Sequence, residues 1–293
     1  MAPVTVAVAR NPYTGMDGSY GTGTGTRAKP LPIDPTAGVR EHMTTETVPT
    51  TARAHRGALR GFHAWVDVAV VVVVLVATNL IAHFTTVWAS IATVPAAALV
   101  LVALMRRRGM RWSELGLSPR HWRAGSLYAL AAVGVVLAVI AVGVALPLTR
   151  QFFLSDRYAT ISGALLASMI VIPLQTVIPE ELAFRGVLHG TLERVSGARG
   201  VFAAGSLLFG LWHIASSLGL TNGNRGLSGI LGGGLWGQVL GIAGAVLATA
   251  AAGFVFTWLR RRSGSLIAPI ALHWSLNGAG ALAAALVWHA TLN

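Results

Sequence analysis

Two adjacent glutamates and an arginine interrupt a strongly apolar part of this chain, where residues 178–186 read IPEELAFRG. A charged side chain in an apolar helix is costly, so it usually faces a cavity or a partner. Glu181 and Arg185 are four residues apart and share one helix face, which allows an ion pair. Glu180 is rotated from Glu181 by roughly 100° and lacks such a cation. We therefore predict that Arg185 holds Glu181 and that Glu180 is available for chemistry.

Further polar residues occur in later apolar stretches. His213 lies in LLFGLWHIA, and His273 and Asn277 lie four residues apart in ALHWSLNGA, on one helix face. The turn sequence VSGARG (195–200) predicts a hairpin in which Glu180 and His213 reach similar depths, because they are almost equally far from its centre. A carboxylate beside imidazole and amide groups can supply a general base and donors to an oxyanion.

The composition indicates which elements must position these residues. The chain has 293 residues, of which 54% are hydrophobic and 11% charged, whereas a soluble domain carries about 25% charge. We predict an all-α fold, a polytopic transmembrane bundle of about seven to eight helices, in which Pro179 interrupts the helix that arrives from residue 161. The predicted helices are 64–84, 87–105, 125–148, 161–179, 199–218, 235–259 and 265–288, with 180–195 as a polar-faced continuation.

The arginines predict a multi-pass protein of the cell membrane. They cluster at the ends of apolar stretches, as topology signals do, so the net charge of +12 does not indicate a nucleic-acid partner. One side would hold Arg53, Arg56, Arg60, Arg106, Arg107, Arg108, Arg111, Arg120, Arg123, Arg194, Arg199, Arg260, Arg261 and Arg262, and the other Arg150, Arg157 and Arg225. The richer side is predicted to be cytoplasmic.

The N-terminal segment differs from the rest of the chain. Residues 1–58 are rich in Gly, Thr and Pro and have few large apolar residues, which predicts a disordered cytoplasmic tail. Residues 59–293 are predicted to form the transmembrane domain.

Three short motifs carry a family resemblance. EELAFR, FGLWH and HWSLN fit E-E-x-x-x-R, F-x-x-x-H and H-x-x-x-N, in that order. They resemble the CAAX-protease and bacteriocin-processing family (CPBP, also called ABI) of intramembrane proteases, and the stretch 111–125 resembles the segment that precedes the family core. The resemblance covers roughly residues 60–290.

The resemblance implies hydrolysis of a peptide bond within the membrane. Glu180 and His213 would activate the attacking water, and His273 and Asn277 would stabilise the oxyanion. The implied partners are the lipid bilayer and a membrane-embedded or lipidated protein or peptide substrate. Bacterial relatives are mostly of unknown substrate, so the prenylated substrate of eukaryotic members is not transferred.

The resemblance also implies supporting residues. Glu181 and Arg185 would form an ion pair behind the catalytic groups, and Phe209 would shape the pocket beside His213.

Two questions stay open at the level of the sequence. The family is usually named a metalloprotease, and Glu180, His213 and His273 could bind a divalent metal such as zinc, yet a metal-free glutamate mechanism explains the same residues equally well. Buried Glu and His also line ion pathways, so a proton-coupled transporter is an alternative function. A non-catalytic immunity or scaffold protein of the membrane is another.

Overall fold

A computed structural model describes residues 50–292 of this chain, with side chains from 61 to 291. In this part, all regular elements are helical. Of the tail predicted for residues 1–58, positions 1–49 lie outside the described residues. Positions 50–58 belong to the first helix.

Between residues 50 and 292 the chain forms eight helices of more than one turn, and six helical runs are long and apolar enough to cross a membrane. The prediction of an all-α, polytopic helical bundle is thereby confirmed. The helices are α1 (Thr50–Phe84), α2 (Val87–Arg107), α3 (Trp122–Ala145), α4 (161–196), α5 (198–212), α6 (Arg225–Leu231), α7 (Leu235–Ser263) and α8 (267–292).

Helix α4 carries the two glutamates and has irregular hydrogen bonding. Two of its stretches are π-helical, namely Ala167–Val177 and Leu182–Leu188. The single α-helical turn between them, Ile178–Glu181, contains both carboxylates. The predicted interruption at Pro179 was wrong: the N–H of Ile178 bonds to the carbonyl of Pro173, and the helix continues through the proline. π-Helical segments are frequent at functional sites, because they turn side chains away from the regular helical faces.

Helices α4 and α5 form an antiparallel hairpin, which confirms the prediction from VSGARG. The chain reverses at Gly197, whose φ of 62° and ψ of −160° are not helical. Across the hairpin, the ring of Phe184 lies 5.1 Å from that of Phe209 and 5.5 Å from that of Trp212. Helix α5 ends at Trp212 and not at the predicted residue 218, because His213 leaves the helical conformation (φ −85°, ψ 1°).

Helices α5 and α7 approach each other closely at Gly210. A Cβ atom at this position would lie 2.7 Å from the carbonyl oxygen of Val246 and 2.8 Å from the Cβ of Ala250. Only a residue without a side chain lets the two backbones come this close, and the contact fixes the part of α5 that precedes His213.

Gly210→Ala is expected to destabilise the protein by about 1–3 kcal/mol, as overpacking of a tight contact does. Thermal unfolding in detergent measures the effect. Gly244→Ala in α7 is the matched control, because no neighbouring heavy atom lies within 4 Å of its added Cβ. Equal melting temperatures for the two variants would contradict this account of the α5–α7 contact.

One end of the helices forms an arginine-rich face, built from residues 108–121, 193–199 and 260–266. Arg194 pairs with Glu114 at 2.8 Å, and Arg261 pairs with Glu193. Burial alone would raise the pKa of the Glu114 carboxyl, but hydrogen bonds from Arg111 and Arg194 outweigh it and lower the pKa below its usual value. The loops that the sequence assigns to one side of the membrane therefore contact one another.

The other end, which we call the opposite face, consists of residues 85–86, 146–160 and 213–234. Two of its segments are joined directly, because the amide of Asn224 donates to the carbonyl of Phe152 at 2.9 Å. The face also contacts the end of α8, where the guanidinium of Arg225 lies 5.0 Å from the ring centroid of Trp288. Among the residues whose side chains the structure describes, the two groups of arginines thus lie at opposite ends of the helices, as predicted.

Candidate active site

A cavity of about 670 Å³ contains three of the polar residues that the sequence singles out. Its wall is formed by α1, α2, α4, α5 and α8, together with parts of the opposite face. The polar or aromatic residues that line this cavity are His83, Ser90, Arg157, Tyr158, Gln175, Thr176, Glu180, Trp212, His213, Ser216 and Asn277.

Glu180 lies in the wall of the cavity and is only 6% exposed. Its Oε1 accepts a hydrogen bond of 3.0 Å from the indole Nε1 of Trp212, across the α4–α5 hairpin. Its Oε2 is buried and has no hydrogen-bond partner among the described residues. Buried carboxylate oxygens are normally hydrogen-bonded. Oε2 of Glu181 is also buried without such a partner, but Glu181 does not line the cavity, whereas Glu180 does.

Glu181 has different partners and is fully buried. Its Oε1 accepts from Nη1 of Arg185 at 3.2 Å and from Nδ1 of His273 at 2.9 Å. Because a carboxylate accepts hydrogen bonds, Nδ1 of His273 carries a proton, and the other ring nitrogen faces Glu180. That nitrogen, Nε2, lies 3.9 Å from Oε2 of Glu180. The adjacent glutamates therefore have different partners, and His273 lies between them.

Arg185 is held between aromatic rings behind the glutamates. Its guanidinium carbon lies 3.9 Å from the ring centroid of Phe209 and 4.6 Å from that of Phe256, and Nη2 donates to the carbonyl of Gly253 at 3.4 Å. Phe256 also stacks on the ring of His273, with centroids 5.1 Å apart. Cation–π contacts and the ion pair with Glu181 together compensate for the burial of this charge.

His213 follows the last turn of α5 and lines the cavity. Its Nδ1 lies 2.8 Å from the carbonyl oxygen of Phe209. A carbonyl only accepts, so Nδ1 carries the proton and Nε2 is the nitrogen left for chemistry. The ring of Phe209 packs edge-on against His213 at 4.7 Å, in the place that the resemblance implies. Asn277 of α8 is exposed and lines the same cavity.

The structure thus brings Glu180, His213 and Asn277 to one cavity and places His273 directly behind Glu180. It adds two residues that the sequence analysis missed, Trp212 and Phe256. Trp212 was accessible to the hairpin reasoning, because position 212 lies at almost the same depth as position 213. For Phe256 we see no signal in the sequence, since α7 carries no chemical motif there.

The possible metal ligands do not form a compact set. Among the described residues, no group of three His, Asp or Glu side chains is arranged to hold one metal ion. Glu180, His213 and His273 lie around one region without forming such a group. Zinc binding by these residues stays a prediction, and no chemical step is routed through a metal below.

Residues 162–279 match the family described as type II CAAX prenyl endopeptidase Rce1-like. The matched region begins in α4 and ends in α8, so it contains all seven residues implied by the resemblance to CAAX-type proteases. It confirms that resemblance over residues 162–279, a shorter stretch than the predicted 60–290. No curated protein and no solved structure shows a significant match. The family match supports a membrane-bound hydrolase of peptide bonds.

Proposed function

We propose that this protein is a CAAX-type intramembrane endopeptidase in which Glu180 is the general base. The observation that carries the proposal is the state of its carboxylate: Trp212 fixes one oxygen, while the other is buried without a partner at the wall of a large cavity. The substrate is a membrane-embedded or lipidated protein or peptide.

In the proposed reaction, Oε2 of Glu180 takes a proton from a water molecule whose oxygen attacks the carbonyl carbon of the substrate. The carbon–nitrogen bond then breaks, and the proton passes to the leaving nitrogen, which departs as an amine. His273 helps Glu180 to position this water, because Nε2 of His273 and Oε2 of Glu180 are 3.9 Å apart, a distance that one water molecule can bridge.

The oxyanion in this scheme is stabilised from the cavity wall by Asn277 and His213. Asn277 donates from its amide, and His213 donates from Nε2 when it is protonated, since Nδ1 is already engaged with a carbonyl. This assignment exchanges the roles that the resemblance implies for the two histidines. It rests on their positions: His213 lines the cavity, whereas His273 is 3% exposed and lies between the two glutamates.

Comparison of membrane proteomes tests the proposed function and identifies the substrate. Cells that produce the wild-type protein should contain a neo-terminus that is absent from cells producing Glu180→Ala. Glu193→Ala is the matched control, because this glutamate lies on the arginine-rich face and its side chain is 41% exposed. The proposal fails if all three strains yield the same set of termini.

Metal analysis separates the two catalytic schemes. Activity that persists after chelation, in protein from which metal has been removed, supports the metal-free glutamate mechanism. Activity that is lost and then restored by zinc supports a metal-dependent mechanism, for which Glu180, His213 and His273 are the predicted ligands.

Trp212→Phe is expected to lower the rate of hydrolysis about 10- to 100-fold while the protein stays folded. The indole N–H donates to a charged group, a hydrogen bond worth about 1.5–3 kcal/mol, and each 1.4 kcal/mol corresponds to a factor of about ten in rate. Cleavage of the substrate identified by proteomics measures the effect. Phe184→Leu is the control, because the ring of Phe184 packs on Trp212. This substitution removes an aromatic contact but leaves the hydrogen bond between Trp212 and Glu180 in place, so it should lower the rate much less. Equal rates for Trp212→Phe and the wild type would show that Trp212 does not orient Glu180.

A further inference from the structure

The cavity has its exposed end at one side of the molecule. Six exposed residues line it: His83, Ser90, Arg157 and Ser216 lie in the opposite face or in the helix turn next to it, and Leu276 and Asn277 lie within α8. The lining residues include none from 108–121, 193–199 or 260–266, the segments of the arginine-rich face. The exposed end of the cavity therefore lies toward the opposite face and away from the arginine-rich face.

The inner end of the cavity is closed toward the arginine-rich face. Behind Glu180 lies the buried layer of Glu181, Arg185 and His273, packed with Phe209 and Phe256. Arg260 lies between this layer and the arginine-rich face. Its Nε donates to the carbonyl of Arg185 at 3.3 Å, and its Nη2 donates to the carbonyl of Glu114 at 2.8 Å. This stack of side chains and backbone contacts separates the cavity from the arginine-rich face.

We propose that the cavity opens on the non-cytoplasmic side of the membrane, so that water and substrate reach Glu180 from that side. Arginine-rich loops stay on the cytoplasmic side of membrane proteins, and fourteen of the arginines counted above fall at that end against three at the other. The inference rests on the proposed function, because it assigns an entry side to that same site.

This orientation narrows the class of substrate. The scissile bond must be presented at the non-cytoplasmic end of a membrane segment, as in a translocated peptide that is still anchored in the bilayer. A lipidated C-terminus that remains in the cytoplasm would meet the closed, arginine-rich side. Arg157 is the one Lys or Arg among the residues that line the cavity, and at its exposed end it suits an acidic group on the substrate.

Cysteine labelling tests the orientation without any knowledge of the substrate. The chain has no cysteine, so Ser216→Cys at the mouth and Ser113→Cys on the arginine-rich face each introduce a single thiol in full-length protein. Both serines are exposed, which makes them a matched pair. Right-side-out spheroplasts are treated with a charged, membrane-impermeant maleimide before or after permeabilisation, and the mass shift of the protein is measured.

The expected result is that Ser216→Cys is modified in intact spheroplasts, whereas Ser113→Cys is modified only after permeabilisation. Modification of Ser113→Cys in intact spheroplasts, or of Ser216→Cys only after permeabilisation, would overturn the inference. Neither result depends on catalysis. If labelling is reversed while the Glu180-dependent neo-terminus persists, only the orientation is wrong; if labelling is as expected but Glu180→Ala leaves all termini unchanged, the proposed function is wrong.

Discussion

Purified Glu180→Gln protein is expected to hydrolyse substrate about 10²- to 10⁴-fold more slowly than the wild type, the range that removal of a general base produces. The substitution keeps the shape of the side chain and an oxygen that can accept from the Trp212 indole. It removes the ability to take a proton from water. Oε2 accepts no hydrogen bond in the described part of the protein, and Nε2 of His273 lies 3.9 Å away from it. Its replacement therefore breaks no direct hydrogen bond, and the unfolding temperature should not fall.

Glu181→Gln is the matched control, since it makes the same chemical change one residue away. Here the carboxylate binds both Arg185 and His273, so the loss should appear first in thermal unfolding. Rates and melting curves of the two variants, measured side by side, separate the roles of the adjacent glutamates. Undiminished hydrolysis by a folded Glu180→Gln protein would refute the assignment of the base.

The main geometry of the site could be predicted because it depends on regular periodicities. A spacing of four residues places Arg185 on the face of Glu181, and a turn at 195–200 brings Glu180 and α5 together. Both inferences use only helix geometry and a turn signal. The position of His273 between two carboxylates depends on how α8 packs against α4, and no spacing within one helix specifies such a contact.

The limits of the sequence reading lie in local backbone structure. An apolar stretch up to residue 218 predicts a continuing helix, but the carbonyl of His213 accepts from the hydroxyl of Ser217 at 2.7 Å, and the chain turns there. Similarly, Pro179 breaks an ideal α-helix, whereas the π-helical stretches beside it keep the helix continuous. Hydropathy predicts that a segment lies in the membrane. It does not predict where the backbone hydrogen bonds change from the α-helical to the π-helical pattern or where a helix ends.

Arg185→Ala is expected to destabilise the folded protein by roughly 3–5 kcal/mol, the usual cost of removing one partner from a buried ion pair. The substitution leaves the fully buried Glu181 carboxylate with His273 alone and also removes the cation from between Phe209 and Phe256. Chemical unfolding in detergent measures the change in free energy. The effect on hydrolysis should follow the loss of folded protein, because Arg185 does not line the cavity.

A double variant distinguishes a loss of charge pairing from a loss of volume. Glu181→Gln combined with Arg185→Met removes both charges and keeps side chains of similar size, so it should be more stable than Arg185→Ala, in which one buried charge is unpaired. Arg261→Ala provides the exposed comparison: its partner is Glu193, both side chains are a third or more exposed, and such pairs contribute about 0–1 kcal/mol. If Arg185→Ala and Arg261→Ala were equally stable, the buried ion pair between Arg185 and Glu181 would not be an important source of stability.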